Sequence, residues 1–139
     1  MTDALFWLTL IVAVQLLLFL PYGLERASRI GLMTSIGYSA RGEAGFDQSG
    51  EEPAPWARRA FGAHRNALEN LPIIVGLVLI AHVAKTDPGF VAQATMIYFY
   101  ARIAHYGLYV LAAPIIRSLS FLVCYGAMGA LALKLLGVT

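Results

Sequence analysis

The chain has 139 residues, 59% of them hydrophobic and 13% charged, against about 25% charged in soluble domains, and its mean hydropathy is +0.69. That balance excludes an ordinary soluble domain, and a net charge of +2 with no run of Lys and Arg excludes a nucleic-acid partner. The single cysteine, Cys124, cannot form an internal disulfide, and its apolar neighbours predict a buried, unreactive thiol.

A membrane-crossing helix needs about 20 mostly apolar residues, and the chain has room for four. The first apolar run, 4–20, is interrupted only by Thr9 and Gln15. No basic region precedes it and no small-x-small cleavage site follows, so it reads as a retained anchor helix over 4–33. Beyond Pro21-Tyr22-Gly23, the residues Glu25, Arg26 and Arg29 mark the membrane interface. Residues 34–54, with Gly37, Gly42, Gly45, Gly50 and Pro53 among acidic residues, predict a polar loop too short to be a second domain.

A second helix is predicted over 55–83, with Pro72 inside it removing one backbone hydrogen bond and bending it. Lys85-Thr86-Asp87-Pro88-Gly89 is a tight turn. The third helix, 90–111, carries Arg102 and His105 within its apolar body. Ala112-Ala113-Pro114 begins the next connection, and the fourth helix covers 118–138. Its Gly126-Ala127-Met128-Gly129-Ala130 run suits close helix packing in lipid. The expected fold is all-α: one domain, 1–139, forming an integral-membrane four-helix bundle.

Arginine placement sets the orientation. The connection after the first helix holds Arg26, Arg29, Arg41, Arg58, Arg59 and Arg65, and the last connection adds Arg117, against Lys85 and Lys134 on the other side. The positive-inside bias then puts both termini outside the cytoplasm.

Polar residues gather at one level. Arg65 with Glu69, and Asn66 with Asn70, are four apart on a helix, so each pair shares a face. Arg102, His105, Tyr106 and Tyr109 form a second stripe, and Arg117-Ser118 stands at the entry to the fourth helix. Ionisable groups within a membrane helix cost roughly 2.5–3.5 kcal/mol each on insertion scales, and they face a bundle interior or a wet cavity. Snorkelling to the interface accounts for Arg26, Arg29, Arg58 and Arg59. It accounts less well for Arg65, Glu69 and Arg102, where positive charge exceeds the one carboxylate and invites an anion. Arginine forks suit carboxylates, and a cationic pocket favours a thiolate over a thiol. His64, His82 and His105 have no zinc-ligand spacing, and no phosphate-cradling glycine loop or G-x-S-x-G is present.

The runs R-A-F-G-A-H-R-N-A-L-E-N-L-P (59–72), A-R-I-A-H-Y-G-L-Y (101–109) and A-P-I-I-R-S (113–118) resemble the MAPEG family, the membrane-associated proteins in eicosanoid and glutathione metabolism. The resemblance covers nearly the whole chain and is to the bacterial branch. It implies a homotrimer in a bacterial inner membrane, with glutathione as cosubstrate between adjacent subunits near the cytoplasmic face and a lipophilic second substrate arriving from membrane lipid. Carried over by position, Arg26, Arg65, Asn66, Glu69, Arg102, His105 and Tyr109 would bind glutathione, and Arg117 and Ser118 would stabilise its thiolate. Either Tyr106 or Tyr109 is the pocket tyrosine. Gly62 stands where several members carry a further basic residue, and Phe121 where some carry an aromatic hydroxyl. The expected function is a membrane glutathione transferase or peroxidase. The alternatives are a non-catalytic scaffold that keeps its charges for assembly and, against the lack of an inverted repeat, a small transporter.

Overall fold

A computed structural model of the chain describes residues 1–33, 35 and 52–138. Most of the loop expected at 34–54, with Arg41, lies outside those residues. The described helices are α1 (Asp3–Leu18), α2 (Leu20–Ile30), α3 (Pro55–Val83), α4 (Pro88–Val110) and α5 (Pro114–Leu135). No strand occurs among the described residues.

α1 and α2 together form the first rod of the bundle. Phe19 keeps helical backbone angles between them, but Pro21 has no N–H to continue the ladder, so the helix is interrupted there. Gly23 N–H resumes it by donating to the Phe19 carbonyl at 3.0 Å. From α4, the Tyr106 hydroxyl donates to the Leu18 carbonyl beside the break at 3.3 Å. Pro72, by contrast, is carried inside α3 without ending it.

Proline also sets the other helix starts. Pro55, Pro88 and Pro114 each open a helix, where the missing N–H costs nothing and the fixed φ is already helical. For this reason α4 begins at 88 rather than 90. α5 begins at 114 rather than 118, which puts Arg117 and Ser118 inside a helix turn rather than at its threshold. The Asp87 carboxylate caps α4 by accepting from Gly89 N–H at 3.0 Å. α3 and α4 end in left-handed residues, Lys85 (φ 54°) and Ala112 (φ 58°). Each is closed by paired backbone bonds, Thr86 N–H to Ala81 O and Ala113 N–H to Leu108 O, both at 3.0 Å. These tight turns make α3, α4 and α5 successive antiparallel neighbours, and α4 packs against α1, α3 and α5.

Each rod gives one stripe to the core, at the three-and-four spacing of a helix face. Ala4, Leu8 and Ile11 come from the first; Ile74, Val78 and Ala81 from α3; Val91, Ala94 and Tyr98 from α4; Cys124, Met128 and Leu131 from α5. Cys124 is fully buried among them. Outside the stripes, apolar residues such as Leu16, Leu79, Ile115 and Leu122 are exposed, the arrangement of a bundle whose solvent is lipid. Three helical spans are long and apolar enough to cross a membrane: Asp3–Ile30, Pro55–Val83 and Pro114–Leu135. α4 is less apolar because it carries Gln93, Arg102, His105 and several tyrosines. The chain is a membrane protein.

Candidate functional site

The polar residues converge where α3 begins, α4 ends and α5 begins. Arg102, from the middle of α4, is only 2% exposed. It has no carboxylate partner among the described residues. Instead Nη1 donates to Asn66 Oδ1 on α3 at 2.9 Å and Nη2 donates to the Tyr98 hydroxyl at 3.2 Å. The guanidinium carbon also lies 5.2 Å from the Tyr98 ring centroid. Burying a full charge on neutral partners is expensive, and the cost is met only where every donor is satisfied. Among the described residues the Arg102 Nε has no partner.

One helical turn on, His105 is also buried. Its Nδ1 lies 3.0 Å from the Arg117 carbonyl on α5. A carbonyl only accepts, so the ring proton sits on Nδ1. Nε2 is then a bare acceptor, buried with no partner among the described residues. The Ser120 hydroxyl donates to the same carbonyl at 2.7 Å and lies 3.3 Å from His105 Nδ1. A further turn brings Tyr109, its ring edge-on to His105 with centroids 5.8 Å apart. The Arg117 guanidinium lies over the Tyr109 ring, 4.4 Å from its centroid, within cation–π range.

These groups line a groove of about 350 Å³ walled by Asn66, His105, Tyr109, Arg117, Ser118 and Phe121. That volume is at the low end of the roughly 300–1,000 Å³ usual for small-molecule sites. Ser118 is exposed at the groove wall, its hydroxyl donating to the Pro114 carbonyl at 2.9 Å.

Gly62 explains how Tyr109 is seated. A Cβ at position 62 would lie 3.2 Å from the Tyr109 hydroxyl, so the phenol rests in the space that a side chain on α3 would fill. Gly62→Val is therefore expected to lose about 1–3 kcal/mol of stability through overpacking. Adding Tyr109→Phe should return part of that loss, because the hydroxyl is the atom in the way. Thermal unfolding in detergent of the two single variants and the double variant measures the coupling.

The remaining expected site residues lie elsewhere on the protomer. Arg65 and Glu69 pair with each other, Nε to Oε1 at 3.3 Å, and their side chains are 69% and 59% exposed. The buried cationic excess therefore rests on Arg102 alone, and Glu69 is not within the groove. The reason is angular: adjacent residues are about 100° apart on a helix, so Asn66 faces α4 while Arg65 faces outward. Arg26 is half-buried on α2, which packs on α3, and does not line the groove. Tyr106 is committed to α1, which leaves Tyr109 as the groove tyrosine.

The other basic residues at this end have partners of their own. Arg59 Nε donates to the Val110 carbonyl at 2.7 Å, capping the C-terminus of α4. Arg29 pairs with Glu25 at 3.2 Å, and Arg58 with Glu52 at 3.8 Å. Tyr98 and Ser120 were not singled out from sequence. Tyr98 is one turn before Arg102 on the same face, a readable signal, whereas Ser120 acts through a backbone carbonyl and leaves none.

A family model for the MAPEG family matches residues 4–137. Among curated proteins none matches. The chain belongs to the MAPEG family, whose members have membrane roles in glutathione-related and eicosanoid chemistry and generally use glutathione.

Proposed function

We propose that this MAPEG-family chain is a membrane-embedded, glutathione-dependent transferase or peroxidase. It would hold glutathione as the thiolate and direct it at lipophilic electrophiles or hydroperoxides. The observation that carries the reading is the Arg117 guanidinium at the groove wall, stacked on Tyr109. Among the described residues no carboxylate lies within ion-pair distance of it. A fixed guanidinium with free donors in a low-dielectric groove lowers the free energy of an adjacent sulfur anion.

Attack of that sulfur on an electrophilic carbon forms a C–S bond as the leaving group departs with its electron pair. Attack on a hydroperoxide breaks the O–O bond, giving an alcohol and a glutathione sulfenic acid, which a second glutathione converts to disulfide and water. In this assignment Arg117 and Ser118 face the sulfur, and Asn66, Arg102, His105 and Tyr109 hold the peptide. Arg26, Arg65 and Glu69 complete the site from an adjacent protomer in a homotrimer, which fits their position outside the groove of their own chain. The assembly lies in a bacterial inner membrane with both termini outside the cytoplasm, and the second substrate enters from the lipid.

Calorimetric titration of glutathione into detergent-solubilised protein tests the reading. Saturable binding is expected, weakened at least about tenfold in Arg65→Ala through loss of a charge-assisted contact. No heat at millimolar glutathione would overturn it. A scaffold role would then be favoured by the Arg102–Asn66–Tyr98 set, in which both Arg102 Nη groups donate within the protomer.

A further inference from the structure

The first turn of α5 carries the residue on which the proposed chemistry depends, yet beyond Pro114 at its first position it has no side-chain cap. Its N-cap is Ala113, which supplies no side-chain hydrogen bond. It follows a three-residue connection whose middle residue, Ala112, is left-handed. A helix start of this kind leaves its first N–H groups without side-chain acceptors and frays readily. A guanidinium at the end of a long side chain is placed only as well as the backbone beneath it.

That backbone is held from two sides at one atom. The Arg117 carbonyl receives the His105 Nδ1–H from α4 at 3.0 Å and the Ser120 hydroxyl from within α5 at 2.7 Å. Ser120 also lies 3.3 Å from His105 Nδ1, so the three groups form a closed triangle. His105 is itself immobilised, buried and edge-on to Tyr109, with Phe121 on its other side at 5.7 Å. The triangle therefore ties the turn bearing Arg117 to the same tyrosine on which the Arg117 guanidinium rests.

We propose that His105 and Ser120 are positioning residues, acting through the Arg117 carbonyl to seat the Arg117 guanidinium on Tyr109 and hold it against the groove. The inference rests on the thiolate reading for its consequence in catalysis, but not for the seating itself. Ser120 does not line the groove and has no other assigned part. His105 acts through its Nδ1–H, so an asparagine, whose amide N–H falls near that position, retains the function and a phenylalanine does not.

The test uses the full chain in detergent, as wild type, Ser120→Ala, Ser120→Thr, His105→Asn and His105→Phe. Phenylglyoxal modification of Arg117, followed by peptide mass mapping without glutathione, reads the seating of the guanidinium. Ultraviolet absorbance of bound glutathione thiolate, with glutathione affinity measured alongside, reads the consequence. Ser120→Ala is expected to raise Arg117 reactivity by roughly 2–10-fold, the worth of one hydrogen bond. It should lower the thiolate signal while changing affinity less; Ser120→Thr should restore both readouts, and His105→Asn, at a residue that also lines the groove, is read by Arg117 reactivity alone and should keep it near wild type. Unchanged Arg117 reactivity in Ser120→Ala and His105→Phe overturns the proposal, as does a change that threonine fails to reverse. If Arg117 reactivity responds as expected while wild-type protein shows no thiolate, the clamp stands and the glutathione reading falls.

Discussion

Arg117→Ala is expected to reduce turnover of a lipophilic electrophile by roughly 10²–10³-fold, the usual loss when one preorganised donor to a developing anion is removed. Glutathione affinity should fall much less, because Asn66, Arg102 and Tyr109 still line or back the groove. Arg117→Lys keeps the charge but loses both the planar fork and the stacking on Tyr109, so it should recover only a small part of the rate. Steady-state conjugation with glutathione at saturation separates these effects. Full turnover in Arg117→Ala would remove the residue from the mechanism.

The second large effect concerns stability. Asn66→Leu deletes the acceptor of the Nη1 donor of Arg102, a residue that is only 2% exposed. It should cost about 1.5–3 kcal/mol, the range for hydrogen bonds to charged groups, because the charge stays buried without its partner. Adding Arg102→Met removes the charge as well and should return much of the loss, since apolar replacement of a whole buried polar set is often close to neutral. Thermal unfolding in one detergent at fixed protein concentration measures both. A double variant no better than Asn66→Leu alone would show that Arg102 contributes packing rather than a solvation burden.

The spacing of Arg102, His105 and Tyr109 on one helix face was legible because it depends only on helical periodicity. The sequence reads α3 from Pro55 at one end and from the turn expected at 85–89 at the other; that turn occupies 84–87. Reading Pro88 and Pro114 as parts of connections places the starts of α4 and α5 too late; at N1 proline belongs to the helix. The interruption at Phe19 shows the reverse case, where Pro21 acts inside a continuous apolar run. Periodicity could not say which face of α3 meets α4, so Asn66 and Arg65 were grouped although they diverge. Nor could periodicity separate Tyr106 from Tyr109: Tyr106 bonds the Leu18 carbonyl, 88 residues away in sequence, while Tyr109 lines the groove.

The four-residue turn between α3 and α4 bears on how the chain enters the bilayer during synthesis. α4 is not among the spans apolar enough to cross alone, and Arg102 at its middle would oppose insertion by roughly 2.5–3.5 kcal/mol. Asn66, which accepts from that arginine, is carried by the neighbouring arm of the same helical hairpin. On entry as one hairpin, the strongly apolar second half of α3 would offset that cost, with Asn66 at hand as an acceptor for the charge. The contact that backs the groove in the finished protein would thus also ease the entry of the one long helix that is not apolar enough to cross alone.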